Sequence, residues 1–476
     1  MLARFFSYYR PYKWLFILDF SCAVFVGLLE LAFPLAVNQV IDRLLPGGDW
    51  SIILWACLGL LFIYVINTAL HYIVTYWGHK LGINIETDMR RKLFNHMQKL
   101  SFAYYDNHKT GHSISRLTKD LEEIGEVAHH GPEDAFVAVM TLIGSFAIML
   151  SINWKLAILS FLVIPLLMIF AIHFNKKMTR TFRQMFSDIA DINARVEDSI
   201  GGIRVVQAFA NEKHEQKQFG VNNERYRSTK LASYKIMAQN ITANYMLMRL
   251  VTLFTLLFGT WFVIGGELSY GEFVAFILLS NVLLGPIQKI NAVIESYPKG
   301  IAGFKRYVEV LETAPDIADS PHAKEVKLDG NIAYRGVTFG YEGHENVLDD
   351  ISLTIKKGET VAFVGPSGAG KTTLCSLLPR FYEIAQGAIE IDGIDIRSIT
   401  LDSLRSQIGI VQQDVFLFSG SIRENISYGK LKATDEEILD AARRAKLDDF
   451  IATQPQGLDT IIGERGVKLS GGQNNA

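Results

Sequence analysis

Apolar residues gather into six long stretches in the first part of the chain, at about 14–40, 52–77, 135–152, 156–174, 246–264 and 273–294. A bilayer core takes ~20 apolar residues of helix to cross. The pattern therefore predicts about six membrane spans. The connections between them are unequal: 41–51, 151–155 and 265–271 are short, whereas 78–134 and 175–245 are long and highly charged. In the long connections the apolar residues keep a helical period, as in Leu93, Met97 and Leu100. Helices are thus expected to continue well beyond the bilayer.

Each long connection breaks near its middle. The first break runs from Tyr104 through an aromatic and polar cluster to Gly111, and the second surrounds Gly201 and Gly202, just before an apolar turn that ends at Phe209. Such positions suit short helices lying across the tip of a helical hairpin, and equally a plain solvated turn. After Ser296 the pattern changes. Two stretches, 297–300 and 313–321, each carrying proline, bracket a short amphipathic helix and end the membrane part. From Asn331 the chain reads as soluble α/β, with strand-like runs at 332–339, 360–364 and 388–391, the last followed by the turn pair Asp392 and Gly393. The fold class expected is an all-α six-helix transmembrane domain over 1–310, a linker over 311–330, and an α/β P-loop nucleotide-binding domain over 331–476.

The distribution of charge orients the spans. Arg4, Arg10 and Lys13 precede the first, and Arg90, Arg91, Lys92, Lys99, Arg116 and Lys119 lie in the first long connection. Lys176, Lys177, Arg180, Arg183, Arg204 and Lys230 occupy the second, while the short connections carry little beyond Arg43 and Lys155. Basic residues mark the cytoplasmic side. A multi-pass protein of the cytoplasmic membrane with both termini in the cytoplasm is expected.

Composition agrees. Of 476 residues 49% are hydrophobic and the mean hydropathy is +0.18, high for a soluble enzyme. The formal net charge of -2 gives no reason to expect a nucleic-acid partner. Cys22, Cys57 and Cys375 are too scattered for a metal site or a disulfide framework and read as small apolar residues. The apolar run after Trp14 outlasts the core of a signal peptide and no small-residue cleavage site follows, so it reads as a retained span.

The strongest motif is Gly365, Pro366, Ser367, Gly368, Ala369, Gly370, Lys371, Thr372 and Thr373, placed between the expected strand 360–364 and an expected helix at 374–378. Glycines let the backbone wrap a β-phosphate closely, with successive N–H groups aimed at negative charge. Lys371 is the candidate for the β- and γ-phosphates, and the Thr372 hydroxyl for Mg²⁺.

Together with this motif, Tyr341 before it, the run from Val411 through Gln413 to Asp414 after it, and Leu469, Ser470, Gly471, Gly472 and Gln473 near the end resemble the ATP-binding cassette transporters. Arg380, Phe381 and Tyr382, the run 391–393 and the loop 463–466 are similar to the homodimeric bacterial multidrug exporters, whose subunits each join six spans to one cassette. The resemblance covers nearly the whole chain. It implies ATP and Mg²⁺ as cofactors, with Tyr341 stacking on adenine and Gln413 touching Mg²⁺ beside Thr372. Leu469–Gln473 would cap the ATP held by the partner, which is a second copy of the chain or a homologous half-transporter. Gly111 with its aromatic cluster and the segment 202–210 match the family's coupling helices.

The sequence departs from the family pattern where it stops, at Gln473, Asn474, Asn475 and Ala476. The family continues with a basic helix, an apolar run ending in Asp-Glu, and a switch histidine. The polypeptide as given is therefore expected not to hydrolyse ATP alone, because the general base and part of the metal site are missing.

The resemblance implies export of hydrophobic or amphipathic compounds, multidrug type, by alternating access. Export of lipid or peptide, and a non-hydrolysing nucleotide-binding partner subunit, are the alternatives. Glu30, Arg249 and Glu295 are ionisable groups inside predicted spans. A cavity-facing glutamate that attracts cationic amphiphiles is one reading of them, and an internal Glu–Arg pair or a headgroup-level position is the other.

Overall fold

The structure, a computed structural model, describes residues 1–462 other than 109, 342, 344 and 413–415, and leaves aside the side chains at 2, 163, 164, 167, 168, 171, 175, 284, 291, 294 and 295. The chain divides into two compact units. One comprises Met1–Lys99 and His108–Ala314; the other joins Leu100–Asn107 to the chain from Pro315 onward.

The first unit is helical. α1 (Leu2–Ser7), α2 (Lys13–Gln39) and α3 (Trp50–Met97) lead to α4 (Phe102–Asp106), which belongs to the second unit, and then to α5 (Thr110–Leu117). The unit continues with α6 (Lys119–Ile152), α7 (Trp154–Phe161), α8 (Val163–Gly201), α9 (Ile203–Ala208), α10 (Glu212–Ile264), α11 (Tyr270–Val282) and α12 (Leu284–Glu312). Five helical stretches among the described residues are long and apolar enough to cross a membrane: Arg10–Leu44, Trp50–Met97, Thr110–Ile152, Glu212–Ile264 and Tyr270–Ile290. The remaining predicted segment, 156–174, is also helical, interrupted at Leu162 between α7 and α8. In the apolar window of α3 no residue is fully buried among the described residues, and Trp55, Phe62 and Tyr72 stand exposed. A large uncovered apolar surface of this kind suits contact with lipid.

Polar side chains start several of these helices where the sequence turns. Asp49 Oδ1 accepts the Ser51 N–H at 2.9 Å, Asn153 Oδ1 accepts that of Leu156 at 3.0 Å, and Ser269 and Glu272 form a reciprocal capping box at α11. Glycine sets how closely helices approach. A Cβ at Gly82 of α3 would lie 2.8 Å from the Gly125 carbonyl oxygen of α6. Similarly, Gly300 and Gly303 of α12 sit against the backbones of Glu123 and Asp120 in α6. This packing explains one departure from expectation. The sequence pattern has Pro298 helping to end the membrane part, yet α12 runs through it unbroken to Glu312. The contacts along α6 outweigh the backbone hydrogen bond that a proline removes.

Outside the apolar stretches, α8 and α10 run side by side with charge between them. Arg225 reaches Asp188 at 3.2 Å and also pairs with Asp191, and Arg195 meets Glu215 at 2.8 Å. The short helices expected at the hairpin tips are present as α4, α5 and α9.

The second unit holds β1 (Ile332–Gly340) and β2 (Asn346–Ile355), followed by α13 (Lys371–Leu377), β3 (Gln386–Ile391) and β4 (Ile394–Asp395). The four strands form one antiparallel sheet in the order β2-β1-β3-β4. Asp392 and Gly393 both have positive φ and make the tight turn between β3 and β4, as their pairing in the sequence predicts. Tyr334, Val337, Leu348, Leu374, Leu377, Ile389 and Ile391 pack into its core. Beyond it come α14 (Leu401–Arg405), β5 (Gly420–Ser421), α15 (Ile422–Ser427), α16 (Asp435–Arg444), α17 (Asp448–Thr453) and β6 (Ile461–Ile462). The strand expected at 360–364 is not formed. A strand needs a neighbour to bond with, and among the described residues none pairs with this run, whose Val364 is 91% exposed.

Candidate functional site

The loop after β2 closes on itself. Gly368 and Gly370 adopt φ of 84° and 81°, a region that side chains with a Cβ rarely enter. At Gly370 a Cβ would also fall 2.8 Å from Leu348 Cδ2 and 3.2 Å from the Val347 carbonyl oxygen. The loop thus approaches β2 as closely as only glycine allows, and α13 begins at once with Lys371, three residues before the expected start. Lys371 Nζ donates to the carbonyl oxygens of Gly365 at 2.9 Å and Pro366 at 2.7 Å. Its ammonium is therefore held inside the curl of the loop. Residues 365–369 are exposed, as is the Thr372 side chain, while Thr373 and Leu374 turn into the core.

Two tyrosines of the sheet brace this loop. Tyr334 on β1 donates its phenol to the Leu374 carbonyl oxygen at 3.0 Å, and burial pushes that phenol well above its ordinary value, so it stays a donor. Tyr341, just past β1, shares a 3.0 Å hydrogen bond with Thr373 Oγ1 and stands edge-on to Phe339 and Tyr382. Of the expected site residues, the structure thus brings Tyr341 and 365–373 together. Gln413, Leu469–Gln473 and the loop 463–466 lie outside the described residues.

The second unit also contains the α4 segment. Tyr382 donates to Asp106 Oδ2 at 2.7 Å, Phe102 packs on Phe381 with ring centroids 4.4 Å apart, and Ser101 donates to Asp316 Oδ2 at 2.5 Å. Between these residues and Tyr341 is a cavity of about 780 Å³ that also touches Val347 and Glu383 but none of 365–373. Burial, and then the bond to Asp106, push the Tyr382 phenol upward.

In the helical unit Glu30 faces His71 at 3.8 Å and Arg249 lies over the Tyr245 ring at 5.0 Å, so these two do not pair with each other. The Glu295 side chain is outside the described residues. A different group is buried instead: Asp19 of α2 with His129 and Glu133 of α6. Asp19 was open to view as a charge inside the first predicted span. The i, i+4 spacing of His129 and Glu133 was visible too, but nothing in the sequence connects them to Asp19.

Comparison with known proteins completes the picture. Residues 16–287 match the family model for the ABC transporter transmembrane region, and 348–476 match that for the ABC transporter. The uncharacterized ABC transporter ATP-binding protein YwjA of Bacillus subtilis (strain 168) is 64% identical over 474 residues, 99% of this chain and 82% of that protein. The putative multidrug export ATP-binding/permease protein YgaD of the same organism is 34% identical, covering 99% of this chain and 83% of its own length. An ATP-dependent lipid A-core flippase of Syntrophus aciditrophicus (strain SB) is 33% identical, covering 98% and 77%. The solved structure of a bacterial Atm1-family ABC exporter with ATP bound superposes with a TM-score of 0.79 at 26% identity, over 97% of this chain and 82% of that one. A helical membrane unit, a glycine-shaped phosphate loop and these matches lead to one conclusion: the chain belongs to the ABC transporter family, as an exporter-type half-transporter that carries its membrane region and its ATP-binding cassette in one polypeptide.

Proposed function

We propose that the chain uses ATP to export hydrophobic or amphipathic compounds of the multidrug type across the cytoplasmic membrane, by alternating access, with both termini on the cytoplasmic side. The observation that carries this reading is the loop Gly365–Thr373, folded round Lys371 in the same polypeptide as five helices able to span a bilayer. In this reading 1–310 form the membrane domain, 311–330 the linker and 331–476 the ATP-binding domain.

The exposed backbone of 365–369 wraps the β-phosphate, and Lys371 exchanges its two carbonyl partners for phosphate oxygens, a stronger charge-assisted pairing. The exposed hydroxyl of Thr372 is a hard oxygen donor of the kind Mg²⁺ takes, and Gln413 is its companion. Tyr341 stacks on adenine. Leu469–Gln473 cap the ATP of the partner, a second copy of this chain or a homologous half-transporter, so that two ATP molecules join two cassettes and bias the membrane domains between inward- and outward-facing states.

A lipid substrate is the second reading, supported by the likeness to the lipid A-core flippase. One experiment tests both without requiring turnover. Coupling between sites is reciprocal, so a transported compound shifts the affinity for Mg·ATP. A shift caused by a lipophilic dye cation supports the multidrug reading, and a shift caused only by a lipid supports the second. No shift with either class sinks the export reading.

A further inference from the structure

Three side chains that ATP-driven export leaves unused meet between α2 and α6. Asp19, His129 and Glu133 are 2%, 5% and 4% exposed. His129 Nδ1 lies 3.6 Å from Asp19 Oδ2 and 3.6 Å from Glu133 Oε2. Asp19 Oδ1, His129 Nδ1 and Glu133 Oε2 have no hydrogen-bond partner. Buried polar atoms are seldom left so.

The spacing is informative. It exceeds the roughly 2.7–3.2 Å of an N–H···O bond. Donors sharing one tetrahedral ion at about 2.0–2.2 Å stand roughly 3.3–3.6 Å apart. Two buried carboxylates this close also repel unless a proton or a cation joins them. Among the described residues no Lys or Arg forms an ion pair with either carboxylate, and the nearby Lys289 and His130 both engage Asp134, at 2.7 Å and 3.2 Å. Helix α3 is shaped to this group as well. A Cβ at Gly78 would lie 1.9 Å from His129 Cε1, so glycine makes the room that the imidazole occupies. The rings of His79 and His130 lie 4.7 Å and 4.2 Å from that of His129 but group with it apart from Asp19 and Glu133, so the fourth position of an ion here falls to water, as in open zinc sites.

We propose that Asp19, His129 and Glu133 bind a divalent transition-metal ion of the Zn²⁺ class. One imidazole nitrogen with two carboxylate oxygens suits Zn²⁺, Co²⁺ or Mn²⁺ better than the all-oxygen cages of Ca²⁺ or Mg²⁺. The ion neutralises the carboxylate pair and ties α2 to α6, two helices otherwise joined by apolar packing and close glycine contacts.

The probe is the metal alone. Purified full chain, stripped with a chelator, is titrated with Zn²⁺ against a chromophoric competitor, and with Co²⁺ by visible absorption. The expected result is one tightly held ion per chain and the intense d–d bands of a four-coordinate Co²⁺ site. Asp19→Asn and Glu133→Gln each weaken binding beyond the ~10–100-fold that loss of an outer-shell partner causes. Glu122→Gln, exposed on the same helix, leaves it unchanged. Gel filtration and melting curves show which variants still fold. Absence of stoichiometric Zn²⁺ in the wild-type chain, a weak octahedral Co²⁺ spectrum, or folded D19N and E133Q chains that hold Zn²⁺ as tightly, overturns the proposal. The two wild-type readings decide the matter even where the variants fail to fold.

Discussion

Tyr382 and Asp106, 276 positions apart in sequence, share a 2.7 Å hydrogen bond in which the phenol donates to the carboxylate. One partner lies just past the phosphate-loop helix and the other ends α4, which emerges from the long helix α3. Phe102 on Phe381 reinforces the same junction.

Tyr382→Phe keeps the ring against Phe339 and Tyr341 and removes only that bond. The bond is exposed, so its loss should cost about 1 kcal/mol, below the ~1.5–3 kcal/mol of a bond to a charged acceptor. Hydrogen exchange at the amides of 102–107 should quicken about fivefold. Unchanged protection there would show that apolar packing alone holds α4.

Nucleotide affinity should separate Lys371 from Tyr341. Lys371→Ala should weaken Mg·ATP binding by roughly 10–100-fold, the worth of a charge-assisted bond. Tyr341→Ala should lose about 1–3 kcal/mol of stacking, whereas Tyr341→Phe, which gives up only the bond to Thr373, should stay near wild type. Titration with a fluorescent ATP analogue reads all three. Equal losses in Tyr341→Phe and Tyr341→Ala would mean that the hydroxyl matters and the ring face does not.

Arg306 grips Asp120 with two bonds, Nε to Oδ2 at 2.7 Å and Nη2 to Oδ1 at 2.6 Å, and so joins α12 to α6. Asp120 is 7% exposed, and Arg306→Ala strands it. The expected loss is about 2–3 kcal/mol, with Arg306→Lys recovering only part because an ammonium cannot reproduce the fork. Melting of the purified protein checks this. A wild-type melting temperature for Arg306→Ala would show that water satisfies Asp120.

The turn carboxylate of Asp392 should make the cassette acid-sensitive. It accepts the N–H groups of Asn331, Gly330 and Asp329, which hold its carboxyl well below the usual value of 3.8. A depressed folded value means that the stabilisation is fully present above pH 3.8 and fades as the pH falls below it. Asp392→Asn should therefore melt lower than wild type at neutral pH, with the gap narrowing below that pH. A gap independent of pH would assign the effect to shape alone.

What the sequence revealed depended on how locally each feature is encoded. The phosphate loop is nine consecutive residues whose glycines announce their own backbone, and the spans are runs of apolar side chains. Both were legible. Pairing is not local: the run 360–364 reads as a strand, but a strand exists only beside another, and none of the described residues supplies one. Pro298 misled for a related reason. Its local cost to a helix is real, yet the decision is made by the fit of Gly300 and Gly303 against α6, far away in sequence. Asp19 and His129, like Tyr382 and Asp106, become neighbours only in three dimensions.

The uninterrupted length of α3 has a mechanical meaning. Its 48 residues contain no proline and reach about 72 Å, more than twice the ~30 Å of hydrocarbon they cross. A rod of that kind is a lever whose fulcrum lies among the spans. Tilting it by about 5° sweeps a point ~40 Å along it through roughly 3.5 Å. The 53 residues of α10, also free of proline, offer a second such arm. Stiffness is then the property that transmits force, and a flexible joint anywhere along either arm would let one end turn without the other.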